Sequence, residues 1–352
     1  MSRVTILALS AALALAPPGA AAEPTPDAAY TLAVRTPWMR DPAPGPEALS
    51  AARKVLESQA TREPSNARWP YALGYAASIE ADRASGDAAE AKRKEALERF
   101  QKAASLQPGN ADYQYCVGTA SFERIDDVGM LSKMSLASDG RKAFEKAVEL
   151  DPNHVAARVG LAQFFLGAPG IAGGSVDKAR AQGTALLALP GKRGEFQGRM
   201  VLGGIAAREK NWAEMSRQLT AAETAGGEGA DPVAAMRSHA WYLITDKNDV
   251  PAAVPVVERY VKIAPADDLS AIYLDGEVKR LSGRCADALP RYDLVLAKYE
   301  QARGSRWGAA VCHEQLGHKD LARRDFEEYA RRFPNDPRAK EAKASAKRLT
   351  GS

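Results

Sequence analysis

One spacing rule recurs along this chain of 352 residues and leaves very few folds open to it. A small residue is followed four positions later by a large apolar one, seven later by a further side chain, and twelve later by proline. From Ala52 the series reads Leu56, Gln59, Pro64; from Ala96, Phe100, Ala103, Pro108; from Gly140, Phe144, Ala147, Pro152. Ala253 leads to Val257, Tyr260 and Pro265, and Ala322 to Phe326, Tyr329 and Pro334. Looser copies start at Ala179 (Leu186, with Pro190 one early), Met215 (Leu219, Ala222) and Ala288 (Tyr292, Val295). The starts are separated by 44, 44, 39, 36, 38, 35 and 34 residues, so the period settles towards 34.

Offsets of four and seven lie on one helical face, so each copy buries a single stripe. Proline stops the helix because it has no N–H and holds its predecessor in extended angles. Asp151-Pro152-Asn153 and Pro334-Asn335-Asp336-Pro337 add turn formers at two of these stops. Upstream of most copies lies a second apolar stretch with small residues in its middle: Leu73-Gly74, Val117-Gly118, Leu161-Ala162, Leu202-Gly203, and Leu274 with Gly276. Small residues let two helix backbones approach. Each copy is therefore the second helix of a pair that cannot bury its own face, and stacking the pairs gives one continuous core. Alanine is the best helix former and aromatics make up only 7% of the chain, which suits close-packed helices.

The period and these residues resemble the tetratricopeptide repeat family. Leu73, Gly74, Ala96, Phe100, Ala103 and Pro108 match the repeat's landmarks, and Gly160, Leu161 and Ala162 serve less closely in the third full unit. The resemblance runs from about residue 47 to 350. It implies an all-α fold, a right-handed superhelical solenoid of about seven antiparallel helix pairs. A C-terminal capping helix, the lysine-rich segment Pro337–Leu349, would close it. The chain departs from the family pattern in two places. The first two full units carry about ten extra residues between their helices, around Asp82–Glu90 and Asp126–Ser138, and the third about five. Between about 180 and 235 the register is open.

Residues 1–22 read as a secretory signal peptide. Arg3 precedes an apolar run from Val4 to Ala16, a Pro17-Pro18-Gly19 break follows, and Ala20-Ala21-Ala22 supplies small residues before Glu23. The run is too short to span a bilayer, and no later apolar run reaches the roughly 18 residues a span requires. Export to a bacterial periplasm is expected. Residues 23–46 hold six prolines and no helical period, and are expected to form an extended arm, with Trp38 able to tuck against the first helices. Residues 47–352 form the repeat domain. With 48 basic and 44 acidic residues the chain is not built as a nucleic-acid binder. The segment from Gly317 to Ser352 is nonetheless basic, ten cations against six anions, as a solvated cap or an acidic partner's dock would be.

Candidate chemistry is sparse. His313-Glu314 followed by His318 approaches the zinc-protease pattern, but a second histidine at i+5 falls far round a helix from the first, and the repeat register places Leu316-Gly317 at the turn before the next helix, so no metal is expected. Ser175-Val176-Asp177-Lys178 fits S-x-x-K without its partner motifs, and Ser175 reads as a helix N-cap. The loop from Gly167 to Ser175 lacks the Gly-Lys-Ser/Thr ending of a phosphate loop and reads as a tight connection, or else as a loop closing over a ligand. No nucleophile, base and orienting group converge, so no catalytic residue and no cofactor are assigned. Cys285 opens the second helix of one pair and Cys312 sits late in the first helix of the next. Both lie near one end of neighbouring helices, so a disulfide is expected, with two separate buried thiols as the alternative. Cys116 has no obvious partner.

In the family the first helices of successive units line a concave groove. By position this implies a binding surface of Tyr71, Tyr75, Tyr115, Phe122, Tyr242, Tyr273, Arg280 and Trp307, with Met200 beside them. The asparagine of a dicarboxylate clamp is absent: the matching positions are Ala72, Cys116, Gly160, Val201, His239, Leu274 and Gly308. The function implied is a non-catalytic periplasmic scaffold that binds a protein or peptide, its identity open. The alternative is a small-ligand-binding helical array associated with periplasmic solute uptake.

Overall fold

The computed structural model describes residues 24–34 and 43–350; the signal segment and Trp38 lie outside them. Among the described residues there are seventeen α-helices and no strand. The chain divides into two units, Met1–Gly129 and Met130–Ser352.

The first unit holds α1 (Pro26–Ala33), α2 (Pro46–Arg62), α3 (Arg68–Arg83), α4 (Gly86–Leu106) and α5 (Ala111–Glu123), then a 3-10 turn at Ile125–Asp127. The second opens with α6 (Met130–Leu150) and continues through α7 (Val155–Gly167), α8 (Val176–Leu187), α9 (Lys192–Arg208) and α10 (Trp212–Thr224). Next come α11 (Pro232–Trp241), α12 (Val250–Ile263), α13 (Leu269–Leu281) and α14 (Cys285–Lys298). It ends with α15 (Arg303–Gln315), α16 (Lys319–Arg332) and α17 (Ala339–Thr350). Within each unit consecutive helices pack against each other, and in the second unit first helices also touch the next first helix, as α7 does α9 and α13 does α15. This is a tetratricopeptide-like helical array.

The repeat rule is visible in burial. All eight starts, Gly140 and Met215 included, are buried on second helices, and the starts at Ala179 and Met215 settle the open middle register on α8 and α10. Where the proline is in register, as at Pro64, Pro108, Pro152, Pro265 and Pro334, the helix ends two residues before it. Glycine on the first helix admits the ring of the second: a Cβ at Gly74 would stand 2.5 Å from Phe100. The cap behaves as such arrays require. Helix α17 lays Ala339, Ala342, Ser345 and Ala346 inward on α16 and turns its lysines out.

Two expectations are corrected. Part of the proline-rich arm is helix α1, not extended chain. Thr25 caps it by accepting from the Ala28 N–H, Pro26 suits the first turn, and Ala29 and Ala33, four apart, are fully buried against α2 and α3. Arg68 fastens it, stacking 4.1 Å over the Tyr30 ring and pairing with Asp27 at 2.7 Å. Eight residues are too few to display a period. The extra residues of the first two full units, for their part, are largely helical. They lengthen α4 and α6 to 21 residues each, because Asp87–Glu95 and Leu131–Ala137 are rich in helix formers.

Candidate interaction surface

The implied surface residues fall into both units. On α3, Tyr71 is only 7% exposed; its ring lies 4.5 Å from Tyr113 and 5.1 Å from Tyr75, whose ring meets Phe100 edge-on at 5.3 Å. The buried Cys116 thiol donates to the Tyr75 hydroxyl at 3.3 Å, and burial pushes its pKa up to about 12. Tyr71 is therefore core, not surface: the rings of Phe100 on α4 and Tyr113 on α5 close over it. Tyr75, Tyr115 and Phe122 are half-buried, and burial raises Tyr115 to about 12.

In the second unit Trp307 is also interior, 8% exposed, packed at 5.5 Å on Phe326 and 5.3 Å on Tyr329, with Arg338 over its ring. It lies under the edge that α17 covers. Arg280 is engaged rather than free. It pairs at 2.7 Å with Glu277, a 7%-exposed carboxylate that also accepts from the Tyr292 hydroxyl at 2.6 Å. Burial works against the Arg280 cation, but its bond to Glu277 prevails and lifts its pKa.

Tyr242 and Tyr273 do form a connected feature, and it includes a residue the sequence reading missed. Trp241, 46% exposed, ends α11, and a π turn at Tyr242–Asp246 follows directly, closed by Asn248 at φ +55. The Tyr242 hydroxyl points back to α9, 3.4 Å from where a Cβ on Gly204 would stand. Trp241 faces forward to Tyr273 on α13, ring centroids 6.4 Å apart. The Tyr273 hydroxyl reaches α15, 2.6 Å from the Cβ position of Gly304. A ladder of three aromatic rings thus crosses four successive first helices, with glycine at either end. Met200 is half-buried on α9. The Trp241-Tyr242 dipeptide was the available signal; the π turn that lets adjacent residues face opposite ways leaves no mark in the sequence.

Cys285 and Cys312 form a disulfide between α14 and α15, Cα atoms 4.9 Å apart. Ser175 caps α8 by accepting from the Lys178 N–H at 3.3 Å. The glycine loop is a 3-10 turn, Gly170–Ala172, with Gly173 at φ +95; a Cβ on Gly174 would collide with the Ala168 carbonyl. It holds Ile171 in solvent.

One convergence contradicts the sequence expectation. Ser216 Oγ lies 3.1 Å from His239 Nε2, and His239 Nδ1 lies 2.7 Å from Glu223, which Arg259 also holds at 2.7 Å. Serine, base and orienting acid do meet, brought together by α10 and α11 at spacings no motif records. Ser216 is the fifth residue of α10, so its N–H and those just after it are engaged in the helix and cannot serve an oxyanion. The trio ties α10 to α11, and Arg259 extends the tie to α12.

No family model and no curated protein match the sequence. Solved structures do. The chain is similar to yeast Tom70 with a TM-score of 0.58 at 15% identity, over 86% of this chain and 59% of that one. It thus spans less than two thirds of Tom70. With the Cut9–Hcn1 hetero-tetramer of the APC/C the TM-score is 0.52 at 14% identity, over 92% of this chain and 67% of the other. Tom70 and Cut9 are tetratricopeptide repeat proteins, and at such identities the likeness concerns the fold alone. The class defined is a tetratricopeptide-like helical array.

Proposed function

We propose that this chain is an exported, non-catalytic scaffold that binds a protein or peptide segment through the first-helix face of its second unit. The observation that carries the reading is the Tyr242–Trp241–Tyr273 ladder. An aromatic 46% exposed in a structured setting, flanked by two half-buried tyrosines with polar tips, has the composition of an interaction hot spot. The first helices that present it are held by second helices, so the rings are pre-positioned and little ordering is required on binding. The signal-like N-terminus and the Cys285–Cys312 bond both support an oxidising compartment such as the periplasm. The insertions of the first two full units, one of the two features behind the solute-uptake alternative along with the glycine loop, are largely helix, which lends that alternative less support.

The test is selection of peptides from a random library on the mature chain, followed by titration. Trp241→Ala and Tyr242→Ala should each weaken a selected peptide at least tenfold with helical content unchanged. Peptides that bind both variants as tightly as the parent would refute the assignment.

A further inference from the structure

The i+5 spacing speaks against one helical face, and the repeat register puts a turn at Leu316-Gly317; the structure has that turn, and it brings His313 and His318 face to face. Helix α15 ends at Gln315, and Gly317 at φ +75 reverses the chain. The His318 N–H returns to the His313 carbonyl at 2.9 Å, and His318 becomes the residue before α16. Their Nδ1 atoms are then 3.3 Å apart, ring centroids 5.6 Å. We propose that His313 and His318 form a two-histidine chelate for a divalent transition-metal ion of the imidazole-preferring class, Cu(II) foremost.

The separation is that of two ligands sharing an ion. With metal–nitrogen bonds of about 2.0–2.1 Å, neighbouring nitrogens stand about 3.3 Å apart in a tetrahedron and about 2.9 Å apart in the square plane that Cu(II) prefers, and a small turn of the exposed His318 ring spans the difference from the observed separation. It is long for an imidazole N–H···N bond, so the apo contact is weak competition. On its far side the His313 Nε2 faces the Asp325 carboxylate at 3.7 Å, a neighbour that favours the tautomer with hydrogen on Nε2 and frees Nδ1 for an ion. His318 is exposed and gives the ion a path in.

Among the described residues no group of three or more His, Cys, Asp or Glu gathers around an ion. The chelate therefore supplies two protein ligands and leaves the other positions to water or to a donor from a partner. Such a site binds reversibly, and Cu(II) ranks first among the divalent ions by the general order of stability.

The experiment titrates the untagged mature chain with Cu(II) by calorimetry and records its electron paramagnetic resonance spectrum. Expected is one equivalent bound at micromolar concentration with coupling to two ring nitrogens. His313→Gln and His318→Asn, the latter keeping a residue fit to precede α16, should each weaken binding at least tenfold. Asp325→Asn should weaken it severalfold, and His154→Asn, on α7's cap, should leave it unchanged. Absence of binding at 100 micromolar, on the order of a hundredfold above the expected range, overturns the proposal. So does an equivalent that persists in both His313→Gln and His318→Asn.

Discussion

The Tyr260 hydroxyl donates to Asp268 at 2.9 Å, while the same carboxylate caps α13 by accepting from the Ser270 and Ala271 N–H groups. Tyr329 and Asp336 repeat the device at 2.7 Å, with Asp336 accepting from the Arg338 N–H. In both, the side chain seven positions into the repeat rule reaches past the stop proline and fixes where the next helix begins. Removing the hydroxyl from a buried ring with a charged acceptor should cost about 1.5–3 kcal/mol. Tyr260→Phe is expected to lower the urea midpoint accordingly. A midpoint equal to the parent's would show that the hydroxyl does not anchor the turn.

Reduction should destabilise the second unit. The bond between Cys285 and Cys312 closes a segment of 27 residues, for which chain-entropy reasoning gives about 3–4 kcal/mol. Thermal melts with and without a strong phosphine reductant measure this. Cys116 is the internal control: burial holds its thiol near pKa 12, so it should resist alkylation in the native state with or without reductant.

Gly74 should tolerate no larger residue while Phe100 is present. A Cβ there meets the ring at 2.5 Å, and overpacking of this kind costs about 1–3 kcal/mol. Gly74→Ala should therefore destabilise the first unit, and adding Phe100→Leu should recover part of the loss. Additive effects in the double mutant would contradict the contact.

The Glu223 cluster gives a pH dependence of definite sign. Burial opposes the Glu223 charge, but hydrogen bonds from His239 and Arg259 outweigh it and hold the carboxyl below its usual value of 4.5. A carboxyl depressed in the folded state stabilises above that value and loses its contribution as pH falls through the folded one. Stability should therefore drop below about pH 4.5, and Glu223→Gln should flatten that part of the profile in chemical denaturation series. An unchanged slope would assign the acid sensitivity elsewhere.

Helix positions, their ends and the inward stripe were legible because period and proline act locally. The surface was less so. Tyr71 and Trp307 occupy first-helix positions like Tyr242, yet partners distant in sequence, Tyr113 in one case and Phe326 in the other, take them inside. Position in a repeat sets direction from the helix axis, whereas exposure depends on what the neighbouring pair brings. Helix α1 escaped notice because two alanines make no period. The turn at Leu316-Gly317 was legible from the repeat register, but the His313–His318 contact was not, because the register does not say how that turn aims the two rings.

The Tyr292 ring shows how the second unit measures itself. It sits between Gly276 of its own pair, whose Cβ would stand 3.0 Å away, and Gly308 of the next, where a Cβ would come closer still. One flat side chain thus serves as the spacer between two rungs, and the missing methyls on either side set the thickness of the gap. Growth at either glycine would have to be matched by shrinkage at residue 292, so these three positions are bound to drift together. The pitch of this stretch is in that sense a heritable length, written in a tyrosine and two absences.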